Sequence, residues 1–122
     1  MISILAIDSR KDKDTDTWVL AFSGDWDIYE KERAEDHFLQ VLPDAPRGLI
    51  VDLSDVSLLD SSGVELLIAY FAKLQEVGTR MVLVVDHNNY LIRKFRNLGI
   101  FNNTGLVFFE TIEEAKDSLS AE

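Results

Sequence analysis

Two hydrophobic rhythms alternate along this chain of 122 residues. Short, nearly continuous apolar runs mark strands at Ile2 to Ile7, Thr17 to Gly24 ("TWVLAFSG"), Gly48 to Leu53 ("GLIVDL"), Thr79 to Asp86 ("TRMVLVVD") and Leu106 to Phe109 ("LVFF"). A run as continuous as "GLIVDL" suits a central strand covered on both faces. Between the runs the apolar period lengthens to that of a helix. Asp27 followed by Glu30 has capping-box spacing and opens a helix to about Leu42, with Ala34, Phe38, Val41 and Leu42 as its apolar stripe. Ser61 to Val77 carries Val64, Leu67, Ile68, Phe71 and Leu74 on one helical face and stops at Gly78. Asn88 caps a third helix with Leu91, Ile92, Phe95 and Leu98 inward, closed by Gly99. Thr111 with Glu114 opens a fourth around Ala115 and Leu119.

"SRKDKDTD" (Ser9 to Asp16) reads as a solvated, charged turn, so the first two strands pair as a hairpin or lie as neighbours. The order strand, strand, then helix and strand in alternation implies an α/β fold. We expect one domain over residues 1–122, with a mixed, mostly parallel sheet of about five strands and about four helices. In such sheets functional groups gather where strands end and helices begin. Two places qualify: "GDWD" (Gly24 to Asp27) and "LLDSSG" (Leu58 to Gly63).

Charge narrows the partners. A formal net charge of −10 repels nucleic acid and anionic membranes alike. The absence of cysteine removes disulfides, thiol chemistry and cysteine-ligated zinc. The apolar start is too short for a signal peptide and no segment has transmembrane length, so a cytoplasmic protein is expected.

Asp60-Ser61-Ser62-Gly63 is the stretch that demands an explanation. A helix start needs one capping residue, and here an acid and two hydroxyls precede a glycine that would open space above the first turn. A phosphate on either hydroxyl would meet the positive end of the helix dipole. Local chemistry leaves Ser61 and Ser62 both open. Hydrolase chemistry is disfavoured: G-x-S-x-G is absent, and neither His37 (a surface residue) nor His87 (a turn residue) has an orienting partner in view. "DKDTDT" (Asp12 to Thr17) imitates the start of a calcium loop. It has Thr17 where glycine is needed and Ser23 where a bidentate glutamate is needed, so neither a metal nor another cofactor is expected. Arg93, Lys94 and Arg96 are sufficiently explained as cations in the latter half of a helix, a docking patch for an acidic partner being the weaker alternative, while Leu66, Tyr70 and Val77 fit helix packing or a partner contact.

"LIVDLSDVSLLDSSGVELL" (Leu49 to Leu67) resembles the STAS domain of bacterial anti-sigma-factor antagonists, in which an apolar strand and short loop lead into Asp-Ser-(Ser/Thr/Ala)-Gly at a helix start. "SGDWD" (Ser23 to Asp27) is similar to the family's Gly-Glu-Leu-Asp turn, and "LIRKFRNLGIF" (Leu91 to Phe101) to its late helix. The resemblance implies a non-enzymatic switch with Ser61 as phosphoacceptor. Asp27, Asp60, Ser62, Gly63 and Glu65 would then border the docking face. It also implies two partners: a serine kinase that is also an anti-sigma factor, and a phosphatase that resets the switch. Glu65 stands where the family usually repeats glycine, and Trp26 where it has a smaller aliphatic residue. A second use of such domains, as unphosphorylated subunits docked on an ATPase of lipid transport, is the alternative implied.

Overall fold

The computed structural model describes residues 5–86, 90–97, 99 and 105–120. Five strands form one sheet in the order β1-β2-β3-β4-β5: β1 (Ala6–Asp12), β2 (Thr17–Trp26), β3 (Gly48–Leu59), β4 (Arg80–Val84) and β5 (Phe108–Phe109). β1 is antiparallel to β2 and every other pairing is parallel. The helices described are α1 (Lys31–Val41), α2 (Ser61–Glu76), α3 (Tyr90–Asn97) and α4 (Ile112–Ser120). This is the expected α/β architecture of five strands and four helices. Among the described residues no helix is long and apolar enough to cross a membrane.

The sheet separates two unequal cores. α1, α2 and α3 bury Phe38, Leu67, Tyr70 and Phe95 against one face, where they meet Leu20, Phe22, Leu49, Val51, Leu53 and Leu83. On the other face α4 lays Ala115 and Leu119 over Val19, Ile50, Val82 and Val84. A strand covered on both sides must be apolar at consecutive positions. That accounts for Leu49, Ile50 and Val51, all fully buried.

Three expectations need correction. The first strand is displaced: Ser9 to Asp12, read as turn, belongs to β1, and the turn proper is residues 13–16. β1 is an edge strand, so its polar side chains reach water or local partners. Lys11 Nζ, for example, meets Asp44 Oδ2 at 2.7 Å and Asp16 Oδ1 at 3.4 Å. Next, β3 continues to Leu59, well past the predicted end at Leu53. Its outer half pairs with β2 alone, so Ser54, Asp55 and Ser57 can face solvent within a strand. Finally, Asp27 caps a short 3-10 turn, Ile28–Glu30, through the Tyr29 N–H at 3.0 Å, and α1 starts only after it. The Glu30 carboxylate is buried and bonds Arg33 at 2.6 Å. The Thr111 cap on Glu114 forms at 3.1 Å as expected. Asn88, His87, Leu98 and Ile2 lie outside the described residues.

Tyr70 yields a test of the α1–α2 contact. Its ring stacks on Phe38 at 5.0 Å, and its hydroxyl donates to Glu35 Oε2 at 2.8 Å. Burial first, then the Glu35 bond and the charges of Glu35 and Asp36, push its pKa up to about 12. The unfolded chain therefore releases this proton earlier, near the ordinary value of 10. Tyr70 stabilises the fold fully below pH 10 and progressively less as the pH rises to about 12, a loss of at most about 3 kcal/mol. Alkaline denaturation followed by circular dichroism should show this loss, and Tyr70→Phe should flatten it.

Candidate functional site at the start of the second helix

The two turns singled out in the sequence are joined in the fold. β2 and β3 run parallel to their ends, with Trp26 opposite Leu59, and the Asp60 N–H donates to the Trp26 carbonyl at 3.1 Å. β2 shifts register around Gly24, whose φ of 100° is a left-handed conformation that favours glycine. Beyond that bend Trp26 turns inward, fully buried and stacked on Phe22 at 4.4 Å. Trp26 thus fills the core and leaves the surface to its neighbours.

Asp60 binds the turns together. Its carboxylate accepts the Ser62 N–H at 2.9 Å, the Gly63 N–H at 3.3 Å and the Ser62 hydroxyl at 2.5 Å. The backbone N–H of Ile28, just beyond the end of the other strand, also favours the anion. Burial works to raise its pKa, but these four donors together outweigh it and hold the carboxyl below its ordinary value. The side chain is therefore committed to holding the turn as an anion.

The two serines differ in consequence. Ser62 is half-buried and its hydroxyl is spent on Asp60. Ser61 is exposed as the first residue of α2, and its hydroxyl has no partner among the described residues. Gly63 behaves otherwise than expected. It is buried, and a Cβ there would lie 2.4 Å from Leu59 Cδ1 and 3.2 Å from the Trp26 ring. The missing side chain makes room for the core beneath the turn, not for access from above. Glu65 is exposed one helical turn after Ser61. It lines a cleft of about 220 Å³ with Glu35, Ser62, Tyr70, Lys31 and Lys73.

What the sequence did not disclose is an apolar rim. Ile28, Tyr29, Leu58 and Tyr90 are 61%, 89%, 47% and 41% exposed. All four belong to segments close to Asp60: the Ile28 main-chain N–H favours its anion, Tyr29 follows, Leu58 precedes Leu59, and the Tyr90 hydroxyl bonds the Leu59 N–H at 3.1 Å. Exposed large apolar side chains close together are a feature of interaction sites. Ile28, Tyr29 and Leu58 adjoin or belong to the two turns in the sequence, whereas nothing there ties Tyr90 to them. Leu66 and Tyr70, by contrast, are buried packing residues, while Val77 is exposed. His37 is half-buried with its Nδ1 covered, not the solvated residue expected.

The fold is a small α/β domain with exposed apolar side chains around a polar turn where β2 and β3 end. The STAS-domain model matches residues 7–115, and the chain belongs to that family. An anti-sigma factor antagonist from Mycobacterium paratuberculosis superimposes with a TM-score of 0.83 at 22% identity, over 95% of this chain and 94% of that one. The anti-sigma factor antagonist SpoIIAA in its unphosphorylated form gives 0.74 at 23% identity, over 96% and 100%. The Bacillus cell fate determinant SpoIIAA in its phosphorylated form gives 0.71 at 23%, over 93% and 99%. No curated protein matches the sequence.

Proposed function

We propose that this chain is a phosphorylation-switched binding protein of the anti-sigma-factor-antagonist type. Unphosphorylated, it docks through the rim around Ser61 onto a serine kinase that is also an anti-sigma factor, and so releases the sigma factor. The kinase then transfers the γ-phosphoryl group of its own ATP. The Ser61 Oγ–P bond forms as the bond to the ADP leaving group breaks, and the hydroxyl proton passes to a base on the kinase. A phosphatase reverses the modification by hydrolysis. The chain itself acts as substrate and ligand without catalysing a reaction, in the cytoplasm.

The observation that carries this reading is the division of labour at the turn. Asp60 and Ser62 complete the helix cap between them, which leaves Ser61 exposed with nothing structural to do. The anionic product would sit at the positive end of a 16-residue helix, where the dipole favours it. The similarity to SpoIIAA in both of its forms adds support, because the fold accommodates either state.

Phosphopeptide mass spectrometry on protein isolated from growing and stressed cells tests it. A phosphate on Ser61 whose occupancy changes with condition, and which is lost in Ser61→Ala, is the expected result. An unmodified Ser61 in every condition would sink the switch and favour the constitutive docking subunit.

A further inference from the structure

β4 pairs with β3 only as far as Asp52, opposite Val84. Beyond that point the polar main-chain groups on this edge of β3 need other partners. At Leu59 both partners come from α3. The Tyr90 hydroxyl accepts the N–H, and the Lys94 ammonium donates to the carbonyl. These side chains are one helical turn apart on α3, and together they hold the residue just before the cap Asp60.

A lysine is more than a neutral carbonyl needs. We propose that Lys94 is the built-in counter-cation for a phosphate on Ser61, its ammonium passing from the Leu59 carbonyl to the phosphate oxygens when the hydroxyl is esterified. The reach is short: two residues along the chain separate Cα atoms by at most about 7 Å, and a phosphoserine extends further still. The electrostatics require a cation. A phosphate brings about −1.5 to −2 charges to a surface that already holds Asp60 below it, Asp27 on the adjoining turn and Glu65 one helical turn along. The helix dipole supplies the equivalent of only about half a positive charge. Arg93 lies beside Lys94 in the sequence, and Lys31 and Lys73 line the cleft that Ser62 and Glu65 share, but Lys94 is the cation already bonded to the main chain two residues before Ser61. In the unmodified protein it is parked. On modification it ties α3 to the new anion, so that the phosphate alters the rim around Tyr90 as well as the charge at Ser61.

This inference rests on Ser61 as the phosphoacceptor, and the test separates the two ideas. Phosphoserine is inserted at position 61 during translation, so no kinase is involved. Its second ionisation is then followed by phosphorus NMR in four proteins: the otherwise unchanged chain, Lys94→Gln, Arg93→Gln and Arg96→Gln. Lys94→Gln keeps a donor for the Leu59 carbonyl while removing the charge. We expect it to raise the phosphoserine ionisation by about one pH unit, a tenfold gain in proton affinity, with Arg96→Gln leaving it in place. A Lys94→Gln value no different from that of Arg96→Gln overturns the assignment. So does an effect that appears in Arg93→Gln instead. Absence of phosphate in cells would remove the functional reading without touching this result.

Discussion

Trp26→Ala is expected to lower the unfolding free energy by about 3–5 kcal/mol, the usual cost of deleting a large aromatic from a packed interior. For a chain of this size that corresponds to a fall of roughly 10–20 °C in Tm. The reason lies in a ladder of rings. Trp26 stacks on Phe22 at 4.4 Å, Phe22 faces Phe38 at 6.2 Å, and Phe38 faces Tyr70 at 5.0 Å. The ladder runs from the end of β2, past α1, to the middle of α2. Its first rung also forms the floor under Gly63, so the cavity would open directly beneath the helix start that carries Ser61. Trp26→Phe should be much milder, below about 1.5 kcal/mol. The indole Nε1 is buried without a hydrogen-bond partner among the described residues, and phenylalanine removes that donor along with part of the ring. Urea denaturation of the two variants decides the matter. Equal losses would mean that something other than ring packing holds this corner.

The second large effect concerns binding. Two unit charges about 4 Å apart at an effective dielectric of about 20 interact by roughly 4 kcal/mol, and every ~1.4 kcal/mol is tenfold in affinity. Phosphoserine at 61, placed inside a docked face that already carries Asp27, Asp60 and Glu65, should weaken the kinase complex by roughly 100-fold or more. Ser61→Asp should reproduce part of this, since it brings one charge in place of nearly two. Ser61→Ala should bind within about threefold of the unmodified chain while resisting phosphorylation. Isothermal titration against the partner provides the comparison. A phosphoserine protein that binds as tightly as the unmodified one would place the interface elsewhere.

The sequence was most legible where one force dominated. Val64, Leu67 and Leu74 recur at helical spacing because one face of α2 meets the sheet, and all three are buried. The apolar run through Leu49, Ile50 and Val51 announced a strand covered on both sides. It was least legible where tertiary context overrode composition. Ser9 to Asp12 looked like turn because they are polar, yet an edge strand tolerates polar side chains that an inner strand would not. The outer half of β3 was hidden for the same reason, since β4 had already left its edge.

The candidate site divides in the same way. Asp60 as cap followed from chemistry alone, because any Asp before a helix start tends to accept its free N–H groups. Local chemistry left Ser61 and Ser62 both open and the resemblance alone favoured Ser61; the geometry adds that the Ser62 hydroxyl is turned onto Asp60. Gly63 misled. From sequence a glycine beside an exposed serine suggests open space, whereas here Trp26 and Leu59 press against it from inside. Lys94 was invisible as a site residue because its contact is with the main chain of Leu59, and no pattern of side chains encodes that.

The length of β3 has a practical use. Gly48, at its beginning, lies under Leu119 near the end of α4, and Leu59, at its end, adjoins the Asp60–Gly63 turn. At about 3.3 Å per residue the strand holds these ends some 35 Å apart. The chain has no cysteine of its own, so a single thiol engineered at exposed Asp117 would take a dye or a surface tether at one defined place. Such a handle leaves the rim around Ser61 clear, which suits the molecule to immobilised or fluorescent tests of the proposed partner binding, with and without phosphoserine at 61.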